Sequence, residues 1–243
     1  MILNQRNLII AIVGFASSVA ALAMAALAIV GYRSGELHFV TALTDFERSA
    51  YIAGVALFLS LVGFWMARLS GVRRDLFLSL SGMVLSLPLV VFIVNFEYAA
   101  KVYPPINDIT TDTEDPPTFW DVPNPVTYPG DKVAELQRQA YPHIKPLEVN
   151  MEPADTFKLA SDVARDMGWK IVAENSSDMQ IEAIATSILF GFEDYVGIRL
   201  QDDNGHTRVD VRSHSRLGRI DRGVNAKRIL TYLNALQQRV VME

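Results

Sequence analysis

The sequence predicts a membrane protein in two parts: three transmembrane α-helices, then an α+β domain with an antiparallel sheet covered by two main helices. Three observations carry this reading. Hydrophobic residues make up 50% of the 243, and nearly all of the excess lies before residue 97. Seven prolines crowd between Tyr103 and Gly130. Beyond them, short alternating stretches are interleaved with amphipathic ones of helical period. The boundaries follow: 1–97 for the membrane anchor, 98–130 for a proline-rich extended segment packing on the outer domain, and 131–243 for the α+β domain.

The three apolar runs are Leu8 to Val30, Tyr51 to Ala67 and Leu76 to Phe96, of 23, 17 and 21 residues, none holding Asp, Glu, Lys, Arg or His. A helix rising about 1.5 Å per residue crosses a hydrocarbon layer of about 30 Å in about 20 residues. The second run is short, but Arg48 and Arg68 at its ends can snorkel outward. Signal peptides have shorter apolar cores, so the first run reads as a span. Proton relays and ion paths need ionisable groups inside the membrane, so these spans do not suggest a pump. Gly14, Ala16, Ser18, Ala20, Ala21, Ala25 and Ala28 give span one a small-residue face. Such a face suits close packing within the bundle, or docking of another membrane protein.

Orientation rests on Lys and Arg placement. Arg6, Arg68, Arg73 and Arg74 fall on one side of a three-span topology. That side is expected to be cytoplasmic, which makes this a multi-pass protein of a bacterial inner membrane with its C-terminal domain in the periplasm. Net charge is −5 and the pI about 5.4, which argues against nucleic-acid partners. Cysteine is absent, so disulfides, thiolate metal sites and thiol nucleophiles are excluded.

Prolines 104, 105, 116, 117, 123, 125 and 129 exclude a regular helix between the two parts. A bare spacer has little use for Ile106, Ile109, Phe119, Trp120 and Tyr128, so this segment is expected to bury them on the outer domain. Its opening residues are Tyr103, Pro104, Pro105, Ile106, Asn107, Asp108, Ile109, Thr110, Thr111 and Asp112. Near the other end stand Ser213, His214, Ser215, Arg216, Leu217, Gly218, Arg219, Ile220, Asp221, Arg222, Gly223, Val224 and Asn225. The two motifs, in this order, resemble the signatures of a family of bacterial envelope and plastid proteins known as domain of unknown function 1499. The resemblance spans roughly residues 99 to 240 and departs at Arg222, where an apolar residue is expected. It implies no catalytic residue and no cofactor.

The outer domain reads as follows from its own residues. A short helix covers Val133 to Ala140 and a strand Leu147 to Met151. Pro153 opens a helix over Ala154 to Met167, stopped by Gly168. Strands follow at Trp169 to Glu174, Gln180 to Ile188, Tyr195 to Gln201 and Thr207 to Ser213, with Asp203-Asn204-Gly205 as a hairpin turn between the last two. An amphipathic helix over Asn225 to Val240 closes the chain.

Strand alternation puts His206, Arg208, Asp210, Arg212 and His214 on the face opposite Val209 and Val211. Tyr195, Arg199 and Gln201 share that face across the hairpin, with Glu182 from the strand before. Residues 97–198 hold 7 basic and 18 acidic side chains, and residues 199–243 hold 9 and 5. The arginines either pair with the acidic half or bind an anion or an acidic partner through their planar donors. The candidate binding residues are Arg199, Arg208, Asp210, Arg212, His214, Arg216 and Arg219. His206 and His214 lie roughly 26 Å apart at about 3.3 Å per residue, so no metal site is expected. Ser213 and His214 point to opposite faces, and no nucleophile elbow is present. In the loop from Ser215 to Asn225, glycines permit tight turns, Asp221 bonds loop amides and Asn225 caps the last helix. An anion at that helix N-terminus is the competing reading.

Three functions remain. The first is a non-enzymatic module binding an envelope component, a membrane-protein partner or a lipid-like ligand. The second is an accessory subunit of an energy-transducing membrane complex. The third is a membrane-bound hydrolase or transferase acting on an anionic lipid through His214 and Asp210.

Overall fold

Small side chains recurring at alternate steps of four and three residues organise the first unit. A computed structural model describes residues 2–203 and 205–242, and its contacts divide the chain into Met1–Tyr98 and Ala99–Glu243. The first unit holds α1 (Ile2–Arg33), α2 (Phe39–Ser70) and α3 (Arg73–Val102), each long and apolar enough to cross a membrane. The three apolar runs lie inside these helices. The second helix is longer than its run, because it begins at Phe39, ahead of Arg48.

Along α1 the buried seam is Asn7, Ala11, Gly14, Ser18, Ala21, Ala25 and Ala28. Along α3 it is Asp75, Ser79, Gly82, Ser86, Leu89 and Ile93. On α2, Ala42, Phe46, Ser49, Ala53, Ala56, Ser60, Gly63 and Ala67 keep the same rhythm. A seven-residue repeat of this kind keeps one stripe of each helix facing its neighbours. Ser18 Oγ sits 2.8 Å from Gly14 O, 3.0 Å from Gly82 O and 2.8 Å from Ser86 Oγ. Most of the small face of span one is therefore used inside the bundle, while Ala16 and Ala20 turn outward. Asp75 lies one residue before the third apolar run, yet its side chain is buried in the seam with one oxygen 3.2 Å from Arg74 Nε.

A Cβ at Gly14 would lie 3.0 Å from the Ser60 backbone nitrogen and 3.2 Å from its Cα. Gly14→Leu should therefore push α1 off α2 and cost about 1–3 kcal/mol of bundle stability. Titration of the full chain from mild detergent into dodecyl sulfate, followed by circular dichroism, measures this. An unchanged midpoint would mean the helices are not in close contact there.

The second unit continues with β1 (Asp108–Thr110), α4 (Asp131–Ala140), β2 (Leu147–Val149), α5 (Pro153–Asp166), β3 (Lys170–Asn175), β4 (Gln180–Thr186), β5 (Glu193–Asp203), β6 (His206–Ser215) and α6 (Val224–Met242). The sheet is antiparallel throughout, in the order β1-β6-β5-β4-β3, and β2 also pairs with β6. The two short strands lie end to end along β6: β1 opposite Arg212 to His214, β2 opposite Thr207 to Val209. The register pairs Asp203 with His206, as the hairpin reading requires; its central Asn204 lies outside the described residues.

One sheet face buries Ile181, Ala183, Ile198, Leu200, Val209 and Val211 under α5 and α6. α5 contributes Phe157, Ala160 and Val163, and α6 contributes Ile229, Tyr232 and Leu236. Tyr232 donates its hydroxyl to Ala160 O at 2.9 Å and stacks on Trp169, ring centroids 5.1 Å apart. Two main helices thus cover one face of the antiparallel sheet. On the opposite face Phe119 and Val122 form a smaller cluster with Ile184 and Tyr195. Trp120 does not join it and stands 69% exposed. Alternation along the chain explains this, because Trp120 uses its backbone rather than its ring to hold the sheet.

Candidate functional site

Register decides what the polar face becomes. β5 and β6 pair Arg199 with Asp210, Gly197 with Arg212 and Tyr195 with His214, and β4 adds Glu182 opposite Gly197. All of these side chains therefore point away from α5 and α6. Over them runs the proline-rich segment, a strap. Glu182 accepts the backbone N–H groups of Trp120, Asp121 and Val122 at 2.6, 3.0 and 2.9 Å. Tyr195 donates its hydroxyl to Pro123 O. Gly197 leaves room for Phe119, whose Cε1 would lie 3.2 Å from a Cβ there.

The arginines meet the strap's acids. Arg212, 1% exposed, donates Nε and Nη2 to the two oxygens of Asp108 at 2.9 and 2.7 Å. It also donates to Pro117 O and Val126 O, and its guanidinium lies 4.5 Å from the Phe119 ring centroid. His214 Nδ1 is 3.1 Å from Asp108 Oδ2. Arg199 reaches Asp115 at 2.7 Å and Asp210 at 3.3 Å; Arg208 reaches Asp112 at 2.9 Å and Asp210 at 3.0 Å. Thr111 Oγ1 donates to Asp210 at 3.0 Å. The Asp210 hydrogen bond raises the Arg208 pKa. Burial first, then the nearby Asp108 charge, pushes the Tyr128 hydroxyl up to about 12.

The face thus gathers Arg199, Arg208, Asp210, Arg212 and His214 as expected, but engages them internally. The arginines donate to Asp108, Asp112, Asp115 and Asp210, and His214 is served by Asp108 rather than Asp210. Arg216 lies apart, paired with Glu193 and 5.4 Å from the Tyr195 ring centroid, and Arg219 is exposed on the following loop.

The two signatures bond each other. Asn107 donates to Ser215 O and Gly218 O, at 3.2 and 2.8 Å, and its own carbonyl accepts from Ser215 N and Asn225 Nδ2. Asp221 N donates to Ile106 O at 3.0 Å. One expectation fails here: Asn225 does not cap α6. Its side chain faces inward to Ser213, Ser215 and Arg228. Asp221 does the capping, accepting from Gly223 N and Asn225 N at 2.9 Å each. Burial raises its pKa despite those two bonds. Gly223 adopts φ +81°, and a Cβ there would lie 3.0 Å from the Tyr103 ring. Only glycine suits that backbone with an aromatic ring seated on it.

Beside that ring is a groove of about 410 Å³, lined among others by Tyr103, Tyr141, His143, Lys227, Leu230 and Thr231. Tyr103 and Tyr141 stack with centroids 6.2 Å apart. The Tyr141 hydroxyl is buried with no hydrogen-bond partner among the described residues, and burial raises its pKa. The sequence reading missed this groove, although Tyr103 and Gly223 of its lining stood in the two recognised motifs. Among the described residues no group of three or more His, Asp or Glu side chains is placed to hold a metal ion.

These features define a class: an apolar helical anchor carrying an α+β domain whose polar sheet face is closed by an ion-paired strap. The chain belongs to the family described as Protein of unknown function (DUF1499), which matches residues 108–236. No curated protein matches it. Solved structures similar to it include that of Ara h 8.0201, at 12% identity and a TM-score of 0.34, covering 41% of this chain and 96% of that one. TTHA0849 from Thermus thermophilus is another, at 11% identity and a TM-score of 0.26, covering 40% and 94%. At these scores the likeness says nothing of what this chain binds.

Proposed function

We propose that this chain is a non-enzymatic binding module of the bacterial inner membrane, with its outer unit in the periplasm, and that the groove at Tyr103 takes an amphiphilic component of the envelope. The carrying observation is the Tyr141 hydroxyl, buried beside an open apolar groove without a hydrogen-bond partner among the described residues. A buried polar group left unpaired costs about 1–3 kcal/mol, which a ligand oxygen would relieve. Lys227 supplies a cation at the rim and Leu230 an apolar wall. The placement of Arg6, Arg68, Arg73 and Arg74 supports the orientation. A binding rather than a catalytic role is supported by where the signature residues go: Asn107, Asp108, Thr111, Ser215, Asp221 and Asn225 hold the strap, the sheet and the last helix together.

Native mass spectrometry of the full chain released from nanodiscs tests this. A lipid-sized adduct is expected on the natural sequence. Thr231→Trp, at an exposed position on the groove wall, should remove most of it. No adduct, or one indifferent to Thr231→Trp, would sink the reading.

A further inference from the structure

Strand order brings three segments to one end of the sheet. β1 enters opposite His214, β4 turns into β5 through residues 187–192, and β6 leaves at Ser215 for the loop to α6. The hydrogen bonds from Asn107 and Ile106 tie the entering chain to that loop. The entering chain comes straight from α3, which runs six residues past the apolar run ending at Phe96, to Val102. At about 1.5 Å per residue this is roughly 9 Å, somewhat more than the roughly 5–7 Å depth of the headgroup layer on each side of the hydrocarbon. The loop is therefore bonded to chain that follows closely on a membrane span.

Its side chains suit that place. Arg216, Leu217, Gly218, Arg219 and Ile220 are five consecutive exposed residues, alternating cation and apolar group around the glycine. Val224 is 50% exposed at the start of α6, and Ile188 is 95% exposed at the tip of the β4–β5 turn. The acids of this end are engaged: Glu193 by Arg216, Asp194 by Arg228, and Asp221 by the loop amides. The opposite end of the sheet carries exposed Asp178, Asp202 and Asp203 in its turns. The sheet is thus apolar and basic at the end where the chain enters and acidic at the other.

We infer that the β6–α6 loop, residues 216–220, together with the Ile188 turn, docks into the headgroup layer of an anionic bilayer leaflet. Leu217 and Ile220 enter the acyl boundary, and Arg219 meets lipid phosphate. Shallow apolar insertion backed by basic side chains is how interfacial segments hold to membranes. This surface is separate from the groove and does not depend on its having a ligand.

The chain has no cysteine, so single labels can be placed cleanly. Leu217→Cys, Ile220→Cys and, at the far end, His206→Cys would be spin-labelled in the full chain. Each is read in phosphatidylcholine nanodiscs with and without phosphatidylglycerol. The measured quantity is accessibility to oxygen against a water-soluble nickel complex. A severalfold preference for oxygen is expected at 217 and 220 and none at 206. Phosphatidylglycerol should increase it, and Arg219→Glu should cancel that increase. Equal accessibility at all three positions would overturn the docking. Indifference to phosphatidylglycerol would overturn the anionic-lipid assignment.

Discussion

Asp108→Ala is expected to cost the full chain about 3–5 kcal/mol, the range for removing one partner of a buried ion pair. Asp108 is fully buried and holds both Arg212 and His214. Without it the Arg212 guanidinium keeps two carbonyls and the Phe119 and Tyr128 rings, none of them an anion, in a site where it is 1% exposed. The cost comes from the stranded charge rather than from the lost attraction. Asp108→Leu combined with Arg212→Met should therefore be markedly more stable than either change alone. Urea unfolding of the four proteins in mild detergent, followed by tryptophan fluorescence, gives the cycle. A single-variant cost below about 1 kcal/mol, against that buried-pair range, would show that water or another group takes over from the carboxylate.

Glu182→Ala is the second large expected effect, and it is local. Three consecutive backbone N–H groups of the strap converge on this one carboxylate. Alanine leaves them without an acceptor. Asp121 is exposed, so water can serve part of the deficit, and a net loss of about 2–4 kcal/mol is expected. Glu182→Gln keeps one acceptor oxygen and should fall between. At 1.4 kcal/mol per tenfold, amide hydrogen exchange over 119–126 should accelerate roughly thirtyfold or more in the alanine variant. Exchange on the helix-covered face should change far less. Unaltered exchange in the strap would mean that Phe119 and Val122 hold it without Glu182.

What the sequence discloses, and what it hides, divides by separation along the chain. The alternation from His206 to His214 is local, and it places Val209 and Val211 in the core and the charged residues opposite. The periods of α5 and α6 are equally local, and their ends fall within two residues of the expected ones. The partners of the charged residues are not local. Arg212 and Asp108 are 104 positions apart, and composition shows only that acids precede bases. Trp120 reads as a buried aromatic, but the strap's hold on Glu182 is made by backbone, which carries no residue signature. The groove draws Tyr103, Tyr141 and Lys227 from three distant segments, so no window of sequence contains it. Asp75 lies just outside an apolar run, and only the helix phase turns it into the seam.

The placing of β6 governs the order in which the outer unit can be made. β1 and β2 are each three residues long, and among the described residues their only strand neighbour is β6, which starts at His206. β3, β4 and β5 can pair as soon as they emerge, because each is joined to the next by a short turn. The strap can reach Glu182 and Tyr195 by then, but its ion pairs have to wait. Until β6 arrives, Asp108, Asp112 and Asp115 have no arginine on β5 or β6 to meet, apart from Arg199. Closing loops of about a hundred residues is entropically slow. Completion of this domain is therefore tied to delivery of its last strand, and a chain cut before His206 leaves β1 and β2 without the strand they pair with.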